Sequence, residues 1–124
     1  MTDPVQFNNA VEEVNEGTVQ EVHAIADMDT ATDFELKHTP NIEVQAGANS
    51  RTLKVTIGLK GISHPQTEEH FIEWVRFFVG EDIVGETTFG PNSVVEAFCE
   101  VPLSGPAVVV QSSCNLHGVW EARI

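Results

Sequence analysis

Positive charge is scarce in this chain. Six Lys and Arg residues stand against nineteen Asp and Glu, a formal net charge of −13. Nucleic acids and anionic membranes are held by concentrated Lys and Arg that displace counterions, so both are excluded as partners. Long apolar runs are missing too: no stretch of about 18 apolar residues is present to span a bilayer. Met1 leads into polar, acidic sequence instead of a basic-then-apolar export signal, and a soluble, cytoplasmic protein is expected. Cysteine is limited to Cys99 and Cys114. Pairing them would consume the thiol beside His117 and is disfavoured in a reducing cytosol, so both are read as thiols. There is no internal repeat and no long helix in the body of the chain.

What is present fits one domain, since 124 residues bury a core without covalent staples. The charge is uneven. Met1 to Glu35 holds nine acidic and no Lys or Arg residues, and Leu36 to Ile124 holds ten acidic and six basic. Residues 1–33 are therefore read as an acidic, mostly irregular N-terminal extension, and 34–124 as the folded domain. A short helix is expected over Asp3 to Val14, with Asp3 as N-cap, Pro4 at the first helical position and Gly17 beyond its end. The segment after Gly17 reads as an acidic connector or an arm against the body. His23 lies there without neighbouring metal partners and is left out of the candidate site. Lys37, Arg51, Lys54 and Lys60 fall within 24 positions and form a local positive field that could draw a small anion.

From Ile42 onward the pattern is one of short strands. Arg51 to Lys60 alternates, with Leu53, Val55, Ile57 and Leu59 on one face. His70 to Val79 is aromatic and branched on both faces, as in a central strand, and Trp74 and Phe77 are expected in the core. Further strands are expected at 83–89, 94–101, 107–113 and 119–124, with turns at Gly90-Pro91-Asn92 and Ser104-Gly105-Pro106. Strands at this spacing predict an all-β, antiparallel β-sandwich. Cys99, sharing a side with Val95, Ala97 and Val101, reads as a buried, inert thiol.

Cys114 differs, because it ends a strand and is followed three residues later by His117. With His38, His64 and His70 the chain offers one soft sulfur and four imidazoles, all at strand ends or in loops, where a sandwich gathers side chains. Each fragment alone is unremarkable, for His38 comes before a proline turn, His64 sits beside Pro65, and Cys-x-x-His is common. Together they predict a shared metal site. Structural zinc wants four ligands in a closed tetrahedron, and five candidates are one too many, which demotes zinc without excluding it. Imidazole also suits iron, copper and nickel. Four nitrogens in a plane with one axial thiolate leave a sixth position open, and thiolate donation favours redox chemistry on a bound oxygen species.

The segments Lys37-His38-Thr39-Pro40, Ser63-His64-Pro65 through His70-Phe71-Ile72-Glu73-Trp74, and Cys114-Asn115-Leu116-His117-Gly118-Val119-Trp120-Glu121 resemble superoxide reductase, the neelaredoxin/desulfoferrodoxin family, over roughly Phe34 to Ile124. The resemblance implies an immunoglobulin-like sandwich carrying one non-haem iron. His38, His64, His70 and His117 would be equatorial ligands and Cys114 axial, with His117 binding through Nδ and the others through Nε. With no Cys before Cys99, the chain resembles the one-iron neelaredoxin type, which takes electrons from outside, from rubredoxin or a similar small carrier. A homotetramer is implied by the same resemblance. One position departs from the family: Glu-Lys-His-x-Pro is common there, its Glu binding oxidised iron, whereas Leu36 precedes Lys37 here and the nearest carboxylate is Glu35. An open or water-bound ferric site is expected.

The activity implied is reduction of superoxide to hydrogen peroxide, with Lys37 attracting the anion and fixing a water that helps deliver protons. Two alternatives stand beside it. Dismutation would also oxidise superoxide to oxygen, a half-reaction that an axial thiolate disfavours. A sandwich module that keeps a metal for structure, or an electron-transfer protein, would show no superoxide turnover.

Overall fold

The structure, a computed structural model, describes residues 21–124; the helix expected over Asp3 to Val14 lies outside them. The described elements, in chain order, are β1 (Val22–His23), α1 (Asp33–His38), β2 (Pro40–Ala46), β3 (Ser50–Ile57), β4 (Ile72–Val79), β5 (Asp82–Thr88), β6 (Ala97–Pro102), β7 (Val108–Cys114) and β8 (Gly118–Arg123). They build two sheets, one of five strands in the order β1-β8-β7-β4-β5 and one of three in the order β2-β3-β6. All pairs are antiparallel except β1 with β8, which run parallel. This is the expected antiparallel sandwich of immunoglobulin-like type. None of the described helices is long and apolar enough to cross a membrane.

Alternation decides what fills the space between the sheets. Leu53 and Val55 of β3 and Val75 and Phe77 of β4 are fully buried, and Val108 and Val110 of β7 join them in one cluster. Burying a side chain of this size contributes about 1.5–3 kcal/mol relative to exposure. β7 lies in the middle of the larger sheet, flanked on both sides, which is why nearly all of it is buried.

Three expectations are corrected. Trp74 is not a core residue. A bulge between Ile72 and Trp74 resets the pleat, so Ile72 and Val75 both face inward. Trp74 then turns to the outer face, where the Arg76 guanidinium lies 3.9 Å from its ring centroid. Cys99 is half-buried, with Sγ near the Val84 and Glu100 carbonyls at the sandwich edge. β3 ends at Ile57 before reaching Leu59 and Lys60. Gly58 adopts φ +115°, and a Cβ there would lie 1.9 Å from the Ile62 carbonyl oxygen, so only glycine lets the chain fold back at this point.

Candidate metal centre

His38 is presented by a helix where the sequence had suggested a turn. Thr32 caps α1 by accepting from Glu35 N–H at 3.1 Å, and the Glu35 carboxylate accepts from Thr32 N–H at 2.9 Å, a reciprocal capping box. At the other end the Thr39 hydroxyl donates to the Glu35 carbonyl. Leu36 is buried and anchors the helix to the body, aided by Leu59 N–H donating to the Leu36 carbonyl. His38, in the last turn, is fully buried; its Nδ1 donates to the Phe34 carbonyl at 2.6 Å. The neutral ring then presents a lone pair at Nε2. The same geometry settles the role of the two residues before Lys37: Glu35 is committed at the helix N-terminus and Leu36 is in the core.

His64 and His70 lie in the loop between β3 and β4. The Gln66 amide clamps this loop, accepting from Ile72 N–H and donating to the carbonyls of Ile72 and Gly90. His64 Nδ1 donates to the Pro65 carbonyl at 2.6 Å, which again turns Nε2 into the acceptor. A tight turn from Thr67 to His70 sets the second imidazole. Asn115 brackets it, donating to the Glu69 carbonyl at 3.0 Å and accepting from Phe71 N–H at 2.9 Å.

Cys114 ends β7 facing inward opposite Ile72, and is 2% exposed. Asn115, Leu116 and His117 form the hairpin loop to β8, closed by Gly118 at φ +82°, a left-handed conformation that favours glycine. This turn swings His117 back over the sulfur, with Nδ1 3.8 Å from Cys114 Sγ and 3.2 Å from His38 Nε2.

The ligand atoms of His38, His70, Cys114 and His117 thus lie within 4.8 Å of one another. His64 stands at the border of this group, its ring centroid 4.8 Å from that of His38 and 4.6 Å from that of His70. The buried Nε2 atoms of His64 and His70 have no hydrogen-bond partner. A buried polar atom left unpaired is costly, and a shared cation is the partner that this donor set fits. Burial lowers the basicity of His38 and His70 and brings His64 down to about 4, with neighbouring imidazoles and Lys37 pushing the same way. The rings are neutral near pH 7 and ready to ligate. Burial raises the Cys114 thiol, opposed by backbone N–H groups of Leu116 and His117 directed at the sulfur.

Aromatic walls complete the site. Trp120 stacks on His38, centroids 5.1 Å apart and planes 21° apart, and its indole N–H donates to the His117 carbonyl at 3.0 Å. Phe34, 42% exposed, packs against His38 and His117, and Lys37 Nζ lies 6.0 Å from its ring centroid. Gln66, Asn115 and Phe34 had not been singled out from the sequence. Only the Thr32-x-x-Glu35 capping pattern could have revealed how His38 is held.

The desulfoferrodoxin family model matches residues 30–123. The chain belongs to the desulfoferrodoxin family. Among its desulfoferrodoxin relatives, a putative superoxide reductase from Methanocaldococcus jannaschii is 31% identical over 99 residues, covering 76% of this chain and 85% of that protein. Neelaredoxin from Megalodesulfovibrio gigas is 33% identical over 108 residues, covering 69% and 83%. A solved structure of the Archaeoglobus fulgidus superoxide reductase (neelaredoxin), a variant in the reduced form, superposes with a TM-score of 0.65 at 31% identity over 77% of this chain and 92% of that one.

Proposed function

We propose that the chain is a superoxide reductase, converting superoxide to hydrogen peroxide at one iron held by His38, His64, His70, His117 and Cys114. The observation that supports this reading is the convergence of the His38, His70 and His117 imidazoles and the Cys114 thiol on a desulfoferrodoxin scaffold, with His64 bordering them and the buried Nε2 atoms of His64 and His70 unpartnered. Bound there, ferrous iron would supply the single electron that, with two protons from solvent, turns superoxide into peroxide. Hydrogen bonds from His38 Nδ1 and His64 Nδ1 to backbone carbonyls fix their rings with Nε2 toward the site. The N–H groups at Cys114 favour its thiolate once its proton leaves.

Lys37 is the residue proposed to act on the substrate. A net charge of −13 repels an anion at long range, so a local cation at the mouth of the site matters to encounter. Its ammonium holds protons close to where peroxide is formed. Phe34 shields the imidazoles from one side.

The 34–124 segment is proposed as the unit that carries this chemistry, working in the cytoplasm, where thiols such as Cys99 and Cys114 stay free. Two cysteines are too few for a second thiolate-ligated centre within these 124 residues, which supports rubredoxin or a similar small carrier as electron donor. Assembly as a homotetramer completes the proposal. In the test, protein loaded with one iron per chain is supplied with reduced rubredoxin and a steady flux of superoxide. Donor-dependent superoxide loss, absent from a zinc-loaded control, is expected. Loss no faster than the spontaneous rate would favour a module that only holds metal.

A further inference from the structure

His23 lies upstream of the residues matched by the family model and carries none of the ligand pattern. The structure nevertheless connects it to the metal centre. β1 adds two residues in parallel to the free side of β8, with His23 in register with Trp120 and Trp120 in register with Ser112 of β7. Residues in register across a sheet share a face, so these three form one row. Each member of the row is occupied. The His23 ring lies 4.8 Å from the Trp120 ring, planes 32° apart. Trp120 stacks on His38 and donates to the His117 carbonyl. The Ser112 hydroxyl donates to the His38 carbonyl at 3.3 Å. Trp120 therefore touches two of the candidate ligands at once, and His23 is the side chain placed against its indole from the sheet's outermost strand. His23 also borders the hairpin end, since a Cβ at Gly118 would lie 3.7 Å from its Nε2.

We propose that His23 is a positioning residue for the metal centre, holding the Trp120 indole that orients the His38 ring and the His117 backbone. The inference rests on the metal-centre reading given above. A flat ring is what the role requires, because the contact is ring against ring, the two planes tilted by 32°.

The test uses the full chain loaded with one iron, as wild type, His23→Ala and His23→Phe. Release of iron to excess chelator should be faster in His23→Ala by about tenfold, the lower end of what loss of an outer partner of a ligand costs. The ferric electron paramagnetic resonance spectrum of that variant should split into more than one species as the His38 ring gains freedom. His23→Phe, which keeps a ring in place, should restore both. A purely structural role would lower the melting temperature while leaving the spectrum and release rate untouched, and that result would overturn the proposal. Equal damage from Ala and Phe would overturn it as well. If wild-type iron proves inert toward superoxide while His23→Ala still releases iron faster, the activity fails and the positioning role stands.

Discussion

Cys114 and Lys37 have different tasks in the proposed site, one toward the metal and one toward the substrate, and each can be removed separately. Serine at position 114 keeps the size of the side chain but replaces a soft, ionisable sulfur with a hydroxyl that stays protonated. Cys114→Ser is expected to weaken iron binding and to abolish the sulfur-to-iron charge-transfer absorption of the ferric protein, which visible spectroscopy reads directly. Lys37→Ala should leave binding of the metal intact. It should slow the second-order reaction with superoxide by about tenfold at low salt, with the difference shrinking as ionic strength rises, because long-range steering by a single charge is screened. Stopped-flow rates equal to wild type across the salt series would remove Lys37 from the mechanism. At this scale the sequence was informative about chemistry and poor about support. Thiol and imidazoles announce themselves by type, whereas Gln66 and Asn115 act through amide groups whose partners, Ile72, Gly90, Glu69 and Phe71, are fixed only by the folded loop.

Among the elements, α1 is the one on which the site most depends and the one the sequence reading missed. Six residues are too few to show a helical period, and Pro40 two residues beyond His38 reads as a turn. Its start was nonetheless written in Thr32 and Glu35. Removing the cap hydroxyl in Thr32→Ala should destabilise the protein by about 1 kcal/mol, as measured by urea unfolding. Iron content should be unchanged, because His38 sits at the opposite end, held by Thr39, Ser112 and Trp120. Loss of iron in proportion to the loss of stability would show that the helix is held from its N-terminus instead. The strands were legible because alternation is a strong signal: Leu53, Val55 and Ile57 face the core as the pattern required. Trp74 was misplaced because a bulge shifts the phase of β4 by one residue, and no local composition marks it. β1 was read only as an arm against the body, since two residues leave no period to detect.

For the whole molecule, gathering these imidazoles in one buried place has a cost that shows in the metal-free chain. His38, His64 and His70 are all less basic in the folded protein than the ordinary 6.5, His64 at about 4. As pH falls below 6.5, the unfolded chain takes up protons that these rings refuse, so stability is lost toward pH 4 and is fully present above 6.5. The melting temperature of the metal-free chain should therefore fall steadily over that window; a flat profile would mean that the imidazoles are solvated. The sandwich class was legible because strand spacing and turn residues are local properties. How far the five candidate side chains converge was not, since it depends on the Gly58 fold-back, the inward phase of Cys114 and the packing of α1 on Trp120, which arise only when the two sheets meet.

The measurement that tests superoxide reduction most directly is a single turnover. Ferrous-loaded protein is mixed anaerobically with limiting superoxide while iron oxidation, peroxide and oxygen are followed together. The account predicts one peroxide and one ferric iron for each superoxide consumed, without oxygen. Sustained oxygen release, or iron that stays ferrous while superoxide decays at its spontaneous rate, would contradict it.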